Sequence, residues 1–398
     1  MNRNLLGSLR LQVSRGLATL RGCALAALLV GVLSGCHLVS EEYRHVYVYV
    51  GTYTTSTPAE GIYKYRLDTT TGKLTAEGLA AESLSPSFLA LHPNRKFLYA
   101  VNEHSQAVSA FAIDSTTGEL TFLNQFSSRG AAPCHLVVDR IGKNVLVANY
   151  STGSVAVLPI AVDGRLQPAT AHMVHTQRGE PKPKKGPKGS KAHSINVDPQ
   201  NRFAFAADTG LDQIFVYRFD SEKGTLVEND PNGVVTPHDM GPRHFAFRPD
   251  GKFAYVINET GNTVIAYAYD AERGVLAEIQ TVPTLPVGFD QNSWTSDVQV
   301  HPSGRFLYGA NRGHHSIAVY AIDEENGTLE LVEIEPVRGE FPRGFGIDPT
   351  GRFFFSCNRQ SNQIVVFRID QESGALEATG DVIDLPSPTA MQFLPIYD

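Results

Sequence analysis

Two phrases alternate along this chain, and their count constrains the fold more tightly than anything else in it. The first is an alternating strand, a turn with Pro or Gly, a basic residue, an aromatic-rich strand and then Asn or Asp. It occurs six times, over Phe88–Asn102, His135–Asn149, His193–Asp208, His244–Asn258, Asp297–Asn311 and Gly344–Asn358. With Phe97, Val145, Phe203, Phe253, Phe306 and Phe353 as equivalent positions the spacings are 48, 58, 50, 53 and 47 residues, the period of propeller blades. The second phrase is a β-branched or aromatic strand, a polar turn, Gly, one residue and Leu. It ends seven times, at Leu74, Leu120, Leu166, Leu226, Leu276, Leu329 and Leu376. Seven second halves and six first halves leave one blade incomplete unless the chain ends supply it. Pro388–Phe393 reads as a lone inner strand and Val46–Tyr53 as the strand beside it. Joining them closes the ring and removes the sheet edges that would otherwise aggregate. The expectation is an all-β, seven-bladed propeller closed by a blade shared between the N- and C-terminal strands.

Composition agrees. Of 398 residues 42% are apolar, enough for a packed core, and 35 Gly with 23 Pro suit many short strands joined by tight turns. Stretches such as "DPTGR", "HPSGR" and "RPDGK" put those residues between the first two strands of each repeat. No repeat shows the 3–4 residue apolar spacing of a helical solenoid. A net charge of −7 offers no basic face for nucleic acid, which is excluded as a partner.

The first 36 residues differ in kind. Arg3, Arg10, Arg15 and Arg21 precede an 11-residue apolar run, Cys23–Leu33, too short to span a bilayer, and small residues follow. This is the pattern of an export signal, and Leu33-Ser34-Gly35-Cys36 resembles the bacterial lipoprotein box, in which the Cys is acylated. The division expected is a signal segment over 1–36, a linker over 37–45 and the propeller over 46–398. The chain then sits in the cell envelope as a monomer, touching membrane only through a lipid on Cys36; without a working signal it is cytoplasmic. Cys134 and Cys357 fall in repeats two and six and read as small buried apolar residues, not a disulfide.

In a propeller the loop before the first strand of a blade and the loop after the second open on one face, at the mouth of the central channel. One set of positions there holds His135, His193, Arg243, His244, Asp297 and Arg343; the other holds Glu103, Tyr150, Asp208, Glu259, Arg312 and Arg359. A purely structural ring would repeat one residue at each place. Here the turns repeat and the mouth residues differ, which suits binding and turnover of an anion; the competing reading is that these charges line a wet channel and satisfy one another. The segment "QRGEPKPKKGPKGSK" near residues 177–191 lies on the same face and reads either as a basic lid over an anionic substrate or as a solvated loop. His314 and His315 read as a structural turn.

Several phrases resemble the seven-bladed propeller lactonase family, which includes a bacterial type of 6-phosphogluconolactonase and the fungal carboxy-cis,cis-muconate lactonizing enzyme. They are "VGTYT" from Val50, "AHSINVDPQNRF" from Ala192, "GPRHFAFRPDGKFAYVINE" from Gly241, "SDVQVHPSGRFLYGANR" from Ser296 and "PRGFGIDPTGRF" from Pro342. The likeness covers about residues 46–394, and Gly-Pro-Arg-His followed by Asn-Glu is its most specific element. It implies a site of His193, Arg243, Glu259 and Arg312, with His135, His244, Asp297 and Arg343 binding substrate. It also implies a lactone hydrolase acting on a small anionic lactone. Glu259 or His193 would serve as general base, Arg243, with His244, would stabilise the oxyanion, and Arg312 and Arg343 would grip phosphate or carboxylate. No cofactor is expected: the chain has no zinc-type Cys/His spacing, phosphate loop or nucleophile elbow. A carboxylate metal site of Glu259, Asp208 and Asp297 is the alternative to a metal-free mechanism. Two other functions stay open: cycloisomerisation of a carboxylated muconolactone by the same residues, and a non-catalytic envelope propeller that binds a partner.

Overall fold

A computed structural model describes residues 45–176 and 189–397; the segment read from sequence as a signal, with Cys36, and most of the basic insertion lie outside them. The described residues form 28 strands in seven four-stranded antiparallel sheets, each meandering outward from the channel. Numbered along the chain by their inner strands, blades 1 to 6 begin at Leu89–Leu91, Pro133–Val138, Ala192–Val197, Pro242–Phe247, Trp294–Val300 and Pro342–Ile347. Blade 7 takes its inner strand, Pro388–Ile396, from the C-terminus and its other three from the N-terminal side of the body, beginning with His45–Thr52. The ring is closed as the count of phrases requires.

The two recurring phrases turn out to be halves of one contact. The Gly of each outer hairpin lies in left-handed backbone, with φ between 62° and 83°, and in six blades a Cβ there would strike an aromatic residue at or near the start of the second strand in the preceding blade. Gly72 faces Phe353, Gly118 faces Tyr47, Gly164 faces Phe97, Gly274 faces Phe203, Gly327 faces Phe253 and Gly374 faces Phe306. Only glycine combines that backbone with that closeness. Tyrosines two residues further along reinforce the same seam: the Tyr49, Tyr99, Tyr255 and Tyr308 hydroxyls donate to the carbonyls of Gly118, Gly164, Gly327 and Gly374. Blade 2 is the exception and corrects the sequence alignment. Its second strand is Asn144–Asn149, so Asn144, not Val145, stands where the others have an aromatic, and Gly224 meets Asn144 and Thr170 instead.

The Asn at the end of the second strand in several blades is structural as well. Asn102, Asn149, Asn311 and Asn358 each donate from Nδ2 to a carbonyl in the loop leading into their own blade. Turn chemistry and seams therefore use up the repeated residues, leaving the unrepeated ones at the mouth.

Candidate active site

The inner strands are irregular where they start. Pairing with the second strand skips a residue at Cys134, His193, Arg243, Arg343 and Thr389, and in blade 5 across Ser296 and Asp297. A bulge of this kind turns the extra side chain out of the pleat, and here it aims that side chain at the mouth. His193 is thus the counterpart of Arg243, whereas His135 is the counterpart of His244, one step deeper; the sequence alignment had placed the first two histidines together.

Two neighbouring blades, 4 and 5, supply one charged cluster. The Glu259 carboxylate lies 3.0 Å from Arg243 Nε and 3.3 Å from Arg312 Nη2. Arg312 Nη2 also donates to the Thr295 carbonyl at 2.7 Å, and Arg243 Nη1 donates to the Ser296 carbonyl. The Arg243 side chain is wholly buried, while those of Arg312 and Glu259 keep 12% and 15% of their surface. The latter two are therefore the groups a ligand meets first. Burial, and then the charges of Arg343 and Arg312, pull the Arg243 guanidinium down to about 9; it still carries its charge at neutral pH. Burial alone would raise the Glu259 carboxyl, but Arg312, Arg243 and Arg343 together hold it below its usual range.

Next in sequence to Arg243, His244 has its Nδ1 2.8 Å from Asp297 Oδ1. Asp297 in turn accepts from the Val298 amide and from Gln299 Nε2. With Asp297 ionised, Nδ1 carries the hydrogen and Nε2 is the free base; that nitrogen is buried and has no hydrogen-bond partner among the described residues. Burial and Arg243 lower His244 to about 4 despite Asp297. His135 and His193, whose rings lie 5.2 and 5.4 Å from that of His244, are also held well below the usual histidine value, chiefly by burial. His193 has the Cys134 thiol beside its Nδ1, at 3.8 Å, rather than a carboxylate. His135 packs on Phe88, centroids 4.2 Å apart, and accepts from the Ile195 amide. His135, His244 and Asp297 also border a central cavity of about 770 Å³ that runs between the inner strands past Phe245, Val298 and Phe393.

Three buried histidines kept neutral have a consequence for stability. Between about pH 6.5 and 4 the unfolded chain takes up protons at these positions and the native one does not, so stability rises with pH across that window. Stability to urea at pH 5 should therefore fall below that at pH 7, and His193→Gln should reduce the difference, as chemical denaturation at both pH values would show.

Not every expected residue joins the cluster. Asp208 is fully buried and serves as an anchor: it accepts from His175 Nδ1, Ser190 Oγ and the backbone amides of Lys191, Gly210 and Leu211. It cannot share a metal with Glu259 and Asp297, and among the described residues no group of His, Cys, Asp or Glu is disposed to hold one. Arg343 is 8% exposed, and its Nη2 approaches the Tyr53 hydroxyl at 3.4 Å. Burial opposes its charge, yet Tyr53 and Glu103 raise it above the normal value. Cys134 and Cys357 are buried free thiols. His315 Nδ1 accepts from the Phe341 amide and His314 pairs with Ser316, the structural turn expected of them.

Three rim residues escaped the candidate site drawn from the sequence. Tyr53, Phe341 and Arg359 form a stack in which the Arg359 guanidinium lies 4.6 Å from the Tyr53 ring centre and 5.9 Å from that of Phe341. The only signal for them was position: Tyr53 follows the second strand of blade 7 as Arg359 follows that of blade 6.

Comparison with known proteins bears on this constellation. Residues 47–393 match the family model described as lactonase, 7-bladed beta-propeller. The chain is 37% identical over 302 residues to a 6-phosphogluconolactonase of Bacillus subtilis (strain 168), covering 75% of this chain and 84% of that protein. A 6-phosphogluconolactonase of Formosa agariphila is 34% identical over 311 residues, covering 76% and 86%. Among solved structures, a periplasmic gluconolactonase of Pseudomonas aeruginosa superposes with a TM-score of 0.82 at 32% identity, covering 88% of this chain and 99% of that one.

Proposed function

The chain belongs to the seven-bladed β-propeller lactonase family, and on that premise we propose that it hydrolyses a gluconolactone-type sugar lactone, as its named relatives do. The observation that carries the reading is Glu259 bridging two arginines, one of them next in sequence to a carboxylate-backed, neutral histidine. These are the parts that ester hydrolysis needs: a fixed cation for the oxyanion and a base for water.

Of the two bases expected from sequence, Glu259 is engaged by Arg243 and Arg312 and His193 has a thiol rather than a carboxylate at its Nδ1. We assign the role to His244, whose tautomer Asp297 sets by the same logic as a hydrolytic triad. Water attacks the lactone carbonyl carbon while its proton passes to His244 Nε2. The carbonyl π electrons move to oxygen, and the oxyanion is held by Arg312. Collapse of the tetrahedral intermediate breaks the bond to the ring oxygen, which takes the proton back from Nε2 and leaves as the hydroxyl of the open acid. The acid then ionises, so one proton reaches solvent per turnover. Arg243, entirely buried, acts as a positioning residue: it ties Glu259 to the backbone beside Asp297.

The Arg-rich signal-like segment, Cys36 and the periplasmic relative favour an envelope location, with lipid attached at Cys36. The test of function is proton release by the purified protein on glucono-δ-lactone and 6-phosphoglucono-δ-lactone, with spontaneous opening subtracted. Turnover at least tenfold above background on one of them is expected. Rates at background on both would overturn the reading.

A further inference from the structure

The rim stack left unexplained above carries an inference about which lactone the site accepts. It rests on the hydrolase reading and extends it to substrate class.

The residue just before the inner strand adopts left-handed backbone in several blades, always ahead of a proline. It is Ala132 in blade 2, Gly241 in blade 4 and Ser387 in blade 7, all small; in blade 6 it is Phe341, with φ of 61°. A bulky residue is seldom tolerated there, and strained positions of this kind gather where a binding site needs them. Phe341 is held in place by its amide on His315 Nδ1 and by the Arg359 amide on its carbonyl, both at 3.0 Å. The strained backbone thereby presents a ring at the rim where blades 2, 4 and 7 present only a small residue.

That ring has an arginine of the site on each of two neighbouring blades. The Arg312 guanidinium is 5.3 Å from the Phe341 centroid and that of Arg359 is 5.9 Å from it, so the two cations are at most the sum, 11.2 Å, apart. Their partners differ. Arg312 is bound to Glu259 and Thr295. Arg359 is half-buried against Tyr53 and Phe341 and has no carboxylate within ion-pair distance among the described residues. A stacked cation whose neighbours are aromatic faces, not acids, retains its in-plane N–H fork for an anion. Arg343, expected for this task from sequence, is instead occupied by Tyr53 deeper in the mouth.

We infer that Arg359, seated on Tyr53 and Phe341, binds an anionic substituent, phosphate or carboxylate, at the far end of the lactone. With the reacting carbonyl at Arg312, the sugar ring lies over Phe341. A phosphate five bonds from the carbonyl carbon, at most roughly 7.5 Å away at ~1.5 Å per bond, then reaches Arg359 once a contact distance is added at each end. A neutral gluconolactone would leave the fork unused.

The experiment measures kcat/KM of the full-length protein and of Arg359→Met and Arg359→Lys. The substrates are 6-phosphoglucono-δ-lactone, a carboxylated glucarolactone and neutral glucono-δ-lactone. Methionine keeps the apolar stem over the rings and removes the charge. The ratio of anionic to neutral efficiency should fall tenfold or more in Arg359→Met, mainly through KM, with Arg359→Lys in between. Comparing the two anionic lactones tells phosphate from carboxylate. An unchanged ratio in Arg359→Met, or a wild type with no preference for either anionic lactone, overturns the inference and leaves the hydrolase reading standing. A wild type that opens no lactone overturns the hydrolase reading instead. The inference is then judged by calorimetric binding of 6-phosphogluconate, which Arg359→Met must abolish; absent or unaltered binding overturns it.

Discussion

Arg243→Ala is expected to lower lactone kcat/KM by about 10³-fold, in the range seen when a preorganised electrostatic group is lost from an active site. Arg243 is wholly buried and holds three things at once: the Glu259 carboxylate, the Ser296 carbonyl and, through it, the strand start that carries Asp297. Removing it leaves Glu259 with Arg312 alone and opens a large cavity under the site. Stability should fall by about 3–5 kcal/mol, the usual result of breaking a buried ion pair from one side. Two companions bear on whether that role is positioning or merely structural. Glu259→Gln removes the charge at constant shape but leaves the buried Arg243 without its acid, and should cost stability as well as activity. Arg243→Lys restores charge without the fork, and should recover stability more than kcat. If folded Arg243→Ala protein turns over at the wild-type rate, the positioning role is wrong.

Deleting residues 388–398 is expected to abolish the folded state altogether. Their strand pairs with His45–Thr52 along its whole length, and it buries Ala390, Met391 and Leu394. Losing one large buried side chain costs about 2–5 kcal/mol, and a domain has only about 5–15 kcal/mol to lose. The truncation also bares the backbone edge of Val46–Val50 to the channel, an invitation to aggregate. Circular dichroism and size exclusion should find unfolded or aggregated chain. A peptide of residues 386–398 added during refolding should restore soluble protein by taking up the vacant strand position. A truncated protein that melts cooperatively near the wild-type temperature would show that the closing blade is not needed.

Much of this was legible in the sequence because a propeller repeats. Each blade solves the same local problem, so Gly, aromatic, Tyr and Asn recur at fixed offsets, and even the shared blade followed from seven second phrases against six first ones. One slip in that frame, Val145 for Asn144, arose where blade 2 lacks the aromatic that marks the register.

The site was legible only as a list. Arg243, Glu259 and Arg312 stood out as unrepeated charges at mouth positions, but Asp208 carried the same signal and proved to be an anchor for the chain around Ser190. His193 and His135 looked equivalent until the bulges separated them by one step, and His244 gained Asp297 across the interface between blades 4 and 5.

Sequence by itself therefore determined the ring, its seven blades, its closure and the face on which the unusual residues gather. These depend on contacts repeated at constant spacing, and constant spacing can be read along a chain. Tertiary structure alone decided which charges meet, which histidine is backed by a carboxylate, and that Arg359 rests on Tyr53 and Phe341. Several of those pairings join neighbouring blades, Glu259 to Arg312 and His244 to Asp297 each 53 residues apart, and another joins Tyr53 to the far end of the chain. They are set by bulges of one residue and distances of a few ångströms, for which a sequence keeps no period.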